Sequence, residues 1–164
     1  MVEMKLHGLD GVLETLKALP AEVVSKSGGP VKAALRKGAL VILREEALNL
    51  ARATSALSAI EGDESTGLLA SSLIASRGKA PSSGKGERYI VRVKRKTYPN
   101  RRGKPVTTLK TAQILEYGSE KQPAEPWIRP AFNAKAAEAI RTVEAELVRG
   151  VDRIVKKLAR QNAG

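Results

Sequence analysis

The chain contains no cysteine, and this absence limits the chemistry that it can support. Disulfides, thiolate nucleophiles and zinc sites built on cysteine are excluded, because each requires a cysteine sulfur. Histidine is nearly absent too: His7 is the single one, and no nucleophile pattern lies near it that could complete a hydrolase triad. The three aspartates, Asp10, Asp63 and Asp152, are far apart and have no ligand-like spacing. We therefore predict no catalytic, cofactor-binding or metal site, and we expect that the protein is not an enzyme.

A phosphate-binding loop and a membrane-spanning segment are also missing from the sequence. The stretch GGPVKAALRKG, residues 28–38, has glycines before a predicted helix but lacks the Lys-Ser/Thr ending of a phosphate loop and the dinucleotide spacing. No stretch approaches the roughly 18 consecutive apolar residues of a bilayer span, and the N-terminus lacks a basic region followed by an apolar one. We expect a soluble protein with no membrane partner and no export signal of its own.

Aromatic residues make up 3% of the chain: one Trp, one Phe and three Tyr. The core must therefore be built mainly from Leu, Val, Ile and Ala, and each aromatic ring supplies a large share of the available packing. At 164 residues the chain is long enough for one domain with a real core and short for two. We predict a single domain over residues 1–164.

Hydrophobic periodicity predicts three helices. A short one covers residues 9–16, and a second covers 31–52, with Pro30 at its first position and one face formed by Leu40, Leu43, Ala47 and Leu50. Within it, Glu45 and Glu46 point about 100° apart and cannot form a carboxylate pair from that helix alone. The longest helix covers about 130–160, with an apolar stripe formed by Phe132, Ala136, Ile140, Val143, Leu147, Val151, Ile154 and Leu158.

That last helix would be about 45 Å long, more than a domain of this size covers by itself. We expect part of its stripe to meet another subunit. The alternative is that it packs entirely on the helix at 31–52.

Alternating apolar residues predict strands at 2–6 and, most clearly, at 88–96. Residues 106–117 are predicted to form either a further strand or a short helix, because their periodicity does not distinguish the two. Flexible loops are predicted near residues 54–65, 78–87 and 98–105, where small, polar, Gly, Pro or charged residues cluster. Together these elements predict an α+β fold, with a small antiparallel sheet packed against two or three helices and a long C-terminal helix.

The net charge of +12 is concentrated in one segment. Residues 77–110 carry twelve Lys or Arg against the single Glu87, which leaves 17 basic and 16 acidic residues elsewhere. Such a local field attracts nucleic acid or an acidic protein surface. The residues that we expect to contact either partner are Arg92, Lys94, Lys96, Arg101, Arg102 and Lys104. A small basic protein that binds nucleic-acid backbone without sequence preference is therefore one interpretation of the chain.

Residues 116–132, EYGSEKQPAEPWIRPAF, combine three of the eight prolines with the only Trp and Phe. Gly118 permits a positive φ and could end the preceding element. Pro123 and Pro126 make the chain stiff, and Pro130 suits the first turn of a helix because its missing N–H has no helical partner there. Two interpretations remain: the rings of Trp127 and Phe132 close the core, or a partly exposed Trp127 beside Arg129 anchors an interface.

Three ordered motifs in this chain resemble a known family. EYGS and PWIRPAF, preceded by TGLLASSL at 66–73, are similar to motifs of the tail completion or neck (head-tail connector) proteins of long-tailed bacteriophages, the gene-product-ten-like family. The resemblance covers roughly the C-terminal two-thirds of the chain. The matching residues are Thr66, Gly67, Leu69 and Ser72, then Glu116, Tyr117, Gly118 and Ser119, then Pro126, Trp127, Arg129, Pro130 and Ala131, with Phe132 following them.

The resemblance implies an α+β subunit that assembles into a ring, usually sixfold, where tail meets head. It implies no catalysis. Expected partners are further copies of the chain, the neighbouring connector and tail-terminator or tail-tube proteins, and DNA in the channel. The expected location is the virion neck, after assembly in the host cytoplasm, and the motif residues are expected at subunit interfaces.

Overall fold

The computed structural model describes residues 29–61, 67–79, 86–100 and 102–162. The elements, in chain order, are α1 (Gly29–Glu61), a 3₁₀ turn (Ala70–Ser72), β1 (Leu73–Arg77), β2 (Tyr89–Val93), β3 (Thr97–Pro99), β4 (Pro105–Thr107), α2 (Thr108–Tyr117) and α3 (Ile128–Asn162). The fold is α+β, as predicted. The strand predicted at 2–6 and the helix predicted at 9–16 lie outside the described residues.

Two long antiparallel helices, α1 and α3, form the largest packing interface among these elements. Gly150 lies against Pro30 toward one end of the pair, and the Asn49 side chain donates a hydrogen bond to the carbonyl O of Trp127 at 3.3 Å toward the other. Between these points, Gly38 lets the helices approach closely. A Cβ there would overlap the Val143 side chain and stand 3.0 Å from the carbonyl O of Ala139.

The buried face of α1 differs from the predicted one. Leu50 is buried as expected, but Leu40 and Leu43 are half-buried and Ala47 is exposed. Apolar periodicity does not detect this face, because a glycine and a glutamate occupy two of its buried positions. The buried residues of α1 over 29–55 are Ala34, Gly38, Glu46, Leu50 and Ala53.

Strands β1 and β2 form an antiparallel pair in which Leu73 lies opposite Val93 and Arg77 opposite Tyr89. The helix α1 packs against both strands. Val93 is buried, whereas Arg92, which points to the other face of the pleat, is exposed. The strand predicted at 88–96 is thus confirmed in its core and is shorter at both ends.

The segment 97–117 contains a second hairpin followed by a helix. Tyr98 pairs with Val106 and Pro99 with Pro105, so the predicted loop at 98–105 is wrong at its ends and is reduced to the turn between β3 and β4. Residues 106–117, for which the sequence left strand and helix open, form the end of β4 and then α2. The hydroxyl of Thr107 caps α2 by accepting a hydrogen bond from the N–H of Lys110 at 3.3 Å.

Two further predicted boundaries need correction. The loop near 54–65 is wrong at its start, because α1 continues to Glu61 through small residues that a helix tolerates. The long C-terminal helix is confirmed, and it begins at Ile128 rather than Pro130, which places Pro130 within the first turn. Residues 80–85, inside the loop predicted at 78–87, lie outside the description.

The core lies where α1, β2, α2 and the start of α3 meet. Its members are Leu50, Leu69, Val93, Ala112, Leu115 and Trp127. None of the described helices combines enough length with enough apolar character to span a bilayer.

Candidate functional site

The chain between α2 and α3 is a short, hydrogen-bonded connection. Gly118 ends α2 with φ of 78°, and its N–H donates to the carbonyl O of Ile114 at 2.7 Å. A Cβ at Gly118 would stand 3.0 Å from the N of Ala124, so both the conformation and the space require glycine. The N–H of Glu125 then donates to the carbonyl O of Leu115 at 2.8 Å, which returns the chain to α2 before α3 begins.

Glu116 caps the first turn of α3 from the last turn of α2. One carboxylate oxygen, Oε2, accepts hydrogen bonds from the N–H groups of Trp127 at 2.8 Å and Ile128 at 2.9 Å, and Oε1 accepts one from the N–H of Arg129 at 3.3 Å. The first N–H groups of a helix have no partner within the helix, and its positive dipole end favours a negative charge. The carboxylate therefore satisfies three such groups at once.

Arg129 completes the arrangement around Glu116. Its Nε donates to Oε1 at 2.8 Å, and its Nη2 donates to the carbonyl O of Glu116 at 3.2 Å. The guanidinium lies over the ring of Tyr117, 5.2 Å from the centroid, within the range of a cation–π contact. A carboxylate offers about four lone-pair sites, and four N–H groups occupy them here. Glu116 is thus saturated as an acceptor, which suits it to holding structure.

Glu116 stays ionised despite being 1% exposed. Burial by itself raises its pKa, but the hydrogen bonds from Ile128, Arg129 and Trp127 together outweigh burial and hold the pKa below its ordinary value.

A second buried carboxylate, that of Glu46, lies close to this site. Burial, with a smaller contribution from the negative charge of Glu116, raises the pKa of Glu46 to about 7. One turn along α1, Asn49 bonds to the carbonyl O of Trp127, the residue whose N–H Glu116 binds. The sequence did not predict that Glu46 lies near Glu116, because the two residues are on different helices. The one indication that Glu46 is buried was its position one helical turn before the buried Leu50.

The two aromatic residues of this segment have different environments. Trp127 is 0% exposed and belongs to the core, so the interpretation of a partly exposed interface anchor is wrong for its ring. Its Nε1 has no hydrogen-bond partner among the described residues. Phe132 is half-buried, and Pro130, Arg129 and Tyr117 are exposed.

The first motif joins the same core. Leu69 packs in the cluster that contains Trp127. Ser72 is fully buried: its hydroxyl donates to the carbonyl O of Leu68 at 2.6 Å, and its own carbonyl accepts the N–H of Lys94 at 2.7 Å. Gly67 adopts φ of 65°, and Thr66 lies outside the described residues. The first motif, distant in sequence from the other two, therefore meets them around one core.

The predicted cationic contacts are not members of this core: they lie on β2, on the segment between β2 and β3, and on the second hairpin. Arg92, Lys94, Arg102 and Lys104 are exposed and Lys96 is half-buried, while Arg101 is outside the described residues. Within the described ranges, no cluster of His, Asp and Glu side chains could hold a metal ion.

Comparison with known proteins gave no match of any kind: no family model matches the chain, and neither a curated protein nor a solved structure does.

Proposed function

We propose that this protein is a structural subunit of a bacteriophage virion, a connector or tail-completion protein that forms a ring, usually sixfold, between tail and head. Its partners would be copies of itself and the adjoining connector and tail proteins. It would assemble in the host cytoplasm, become part of the virion neck, and catalyse no reaction.

The observation that carries the proposal is the convergence of the motifs. The family resemblance rests on three short motifs, and in the structure Leu69, Glu116 and Trp127, one from each, meet at or beside the same core. Motifs that build one core together specify a fold more strongly than three unrelated surface matches would. The resemblance therefore concerns residues that determine the shape of the subunit.

Exposed apolar side chains on the α1–α3 pair offer contact area for neighbouring copies. Leu48 is 54% exposed, Val148 is 62% exposed and Val155 is 56% exposed. Along the predicted stripe, Leu147 is buried, whereas Phe132, Ile140 and Val151 remain half-buried. Because the helices are 33 and 35 residues long, each is about 50 Å long and offers that length for contact with a neighbouring copy.

Electron microscopy of phage particles made with and without this chain tests the proposal. The expected result without the chain is separate heads and tails, and normally joined virions would contradict it. A matched pair of variants locates the contact. Val148→Glu with Val155→Glu should prevent rescue of the defect, whereas Asn133→Glu, a charge placed at an exposed polar position of the same helix, should restore joined particles.

A further inference from the structure

Residues 77–110 carry a large excess of positive charge, because Glu87 is the single acid in this segment. The described cations of this segment are Arg77, Lys79, Arg88, Arg92, Lys94, Arg95, Lys96, Arg102, Lys104 and Lys110. Glu87 is the one acid among them, and its carboxylate already binds Arg77 through Nε at 2.7 Å and through Nη2. The other nine make no ion pair within the described part of the chain.

The α1–α3 pair provides a contrast, since several of its cations are matched by acids. Glu146 accepts Lys37 Nζ at 2.6 Å and Arg149 Nη1 at 2.8 Å, and Glu138 accepts Lys135 Nζ at 2.7 Å. A charge with a partner at this distance contributes little to the field outside the protein. Residues 88–110 have eight described cations and no acid, so their charge is not offset within the segment, whereas α1 and α3 carry acids among their cations.

The backbone that carries the central cations is fixed to α2. Thr108 is 0% exposed, and its hydroxyl donates to the carbonyl O of Lys94 at 2.8 Å while accepting the N–H of Lys96 at 3.0 Å. The N–H of Thr108 donates in turn to the carbonyl O of Lys96 at 3.0 Å. Lys94, Arg95 and Lys96 are thus presented from a segment with little freedom to move.

The turn between β3 and β4 is ordered by one side chain. Oδ1 of Asn100 accepts the N–H groups of Arg102 at 3.0 Å and Lys104 at 2.9 Å. The backbone adds a bond from the N–H of Asn100 to the carbonyl O of Lys104 at 2.8 Å, and Gly103 supplies the φ of 71° that the turn requires. The backbone from Arg102 to Lys104 is therefore pre-formed, so binding there costs little ordering entropy.

The outer face of the first sheet continues this surface. Arg92 lies opposite Ile74, and its Nε donates to the hydroxyl of Ser76 at 2.9 Å. The chain from Arg92 to Asn100 spans at most about 26 Å if extended. We define the basic ridge as the exposed residues Arg92, Lys94, Arg95, Arg102 and Lys104.

We infer that the basic ridge binds the phosphate backbone of nucleic acid. We expect this binding to be independent of base sequence, because cationic side chains that contact phosphates position a protein on the backbone without distinguishing the bases. This inference is independent of the proposed function, since it holds for a connector subunit and equally for a chain with no place in a virion.

Phosphate fits this surface better than an acidic protein does. Protein interfaces depend on large apolar or aromatic anchors that bury in the partner. Over residues 94–100 and 102–104, every exposed side chain is charged, polar or small, apart from Pro99. Tyr98 is half-buried, and its hydroxyl is bonded to that of Thr111. Polyelectrolyte binding needs charge alone, because its free energy comes from the release of counterions.

The experiment is a salt titration of the full chain with a short fluorescent DNA duplex, repeated with unrelated sequences. We expect binding at about 50 mM salt that weakens steeply toward 200 mM, with equal affinity for every sequence. Lys94→Gln combined with Arg102→Gln and Lys104→Gln should reduce the slope of log K against log salt by up to about 2.7. A matched triple of exposed cations on α3, Arg141→Gln, Lys156→Gln and Lys157→Gln, removes the same charge and should leave the slope unchanged.

Three results would overturn the inference: no binding at low salt, equal weakening by both triples, or competition by poly-glutamate as strong as by unlabelled duplex. All six substituted side chains are exposed, so both triples should melt as the unmodified protein does, and thermal melting checks this. If the chain does not bind DNA but supports normal particle assembly, this inference alone is overturned. If virions made without the chain are normally joined while the chain binds DNA, the proposed function alone is overturned.

Discussion

The carboxylate of Glu116 accepts the backbone N–H of Trp127 at 2.8 Å, across eleven residues of sequence. This bond joins the end of α2 to the start of α3, and the same carboxylate holds Ile128 and Arg129. The prolines and the glycine between the two residues serve this closure, since they turn the chain back within a short distance. A glutamate at the end of one helix thereby fixes where the longest helix of the protein begins.

Replacing Glu116 with Gln should destabilise the protein by about 2–4 kcal/mol, because the buried site loses its charge and turns an amide donor toward other donors. Urea unfolding measures this difference. Glu120→Gln, at an exposed position of the same connection, is the control and should change stability little. Equal unfolding midpoints for the two variants would contradict the capping role of Glu116.

Glu46 should make stability depend on pH between about 4.5 and 7. Its raised pKa means that the folded protein holds a proton that the unfolded chain has lost, so stability falls as pH rises through this window and stays lower above it. The full effect is at most about 3 kcal/mol. Thermal melting from pH 5 to about pH 8 should show the decline, and Glu46→Gln should flatten it.

The neighbouring Glu45 provides the control, because Glu45→Gln removes a carboxylate from the same helix turn and should preserve the decline. A decline that persists in Glu46→Gln would assign it to another group. Glu116 acts with the opposite sign: its lowered pKa adds stability that is lost as pH falls through the folded-state value.

Trp127→Ala should cost about 3–5 kcal/mol, since the ring is fully buried in a core poor in other aromatics. Trp127→Phe should cost less, because most of the ring volume remains and the indole N–H, which has no partner in the described part of the chain, is removed. Guanidinium unfolding of both variants measures the two losses. A Trp127→Ala protein as stable as the original would show that the ring is outside the core.

Gly38→Ala should destabilise the protein, although alanine normally favours a helix over glycine by about 1 kcal/mol. The added Cβ would overlap the Val143 side chain and approach the carbonyl O of Ala139, at a cost of about 1–3 kcal/mol. A double-mutant cycle with Val143→Ala should show favourable coupling, because the smaller side chain relieves the overlap. Strictly additive effects would contradict close packing at Gly38.

The sequence predicted those parts of the fold that depend on periodicity or on local backbone rules. The alternation at 89–93, the existence of the helix α3 and the stop at Gly118 were predictable, because each is a property of a few adjacent residues. The apolar stripe located α3 but not its buried residues, since Leu147 alone is buried among the described side chains of that stripe. The boundary of α1 at Glu61 was not, since small and polar residues are compatible with either helix or loop.

The site itself was only half predictable. The motif residues Glu116, Arg129 and Trp127 were selected, but their contacts depend on a return of the chain that no residue pattern encodes. The proximity of Glu46 to Glu116 is wholly tertiary, and it contradicts the usual preference for keeping carboxylates out of a core. The hydrogen bonds by which Asn100 orders the turn between β3 and β4 could not be predicted from the sequence either, because they depend on the geometry of the hairpin.

Amide hydrogen exchange at Trp127, Ile128 and Arg129 tests most directly whether Glu116 holds the start of α3. We expect slow exchange at these three amides in the native protein and a selective acceleration there in Glu116→Gln, with the middle of α3 protected in both. Fast exchange at all three in the unmodified protein, or identical rates in the variant, would contradict the capping role of Glu116.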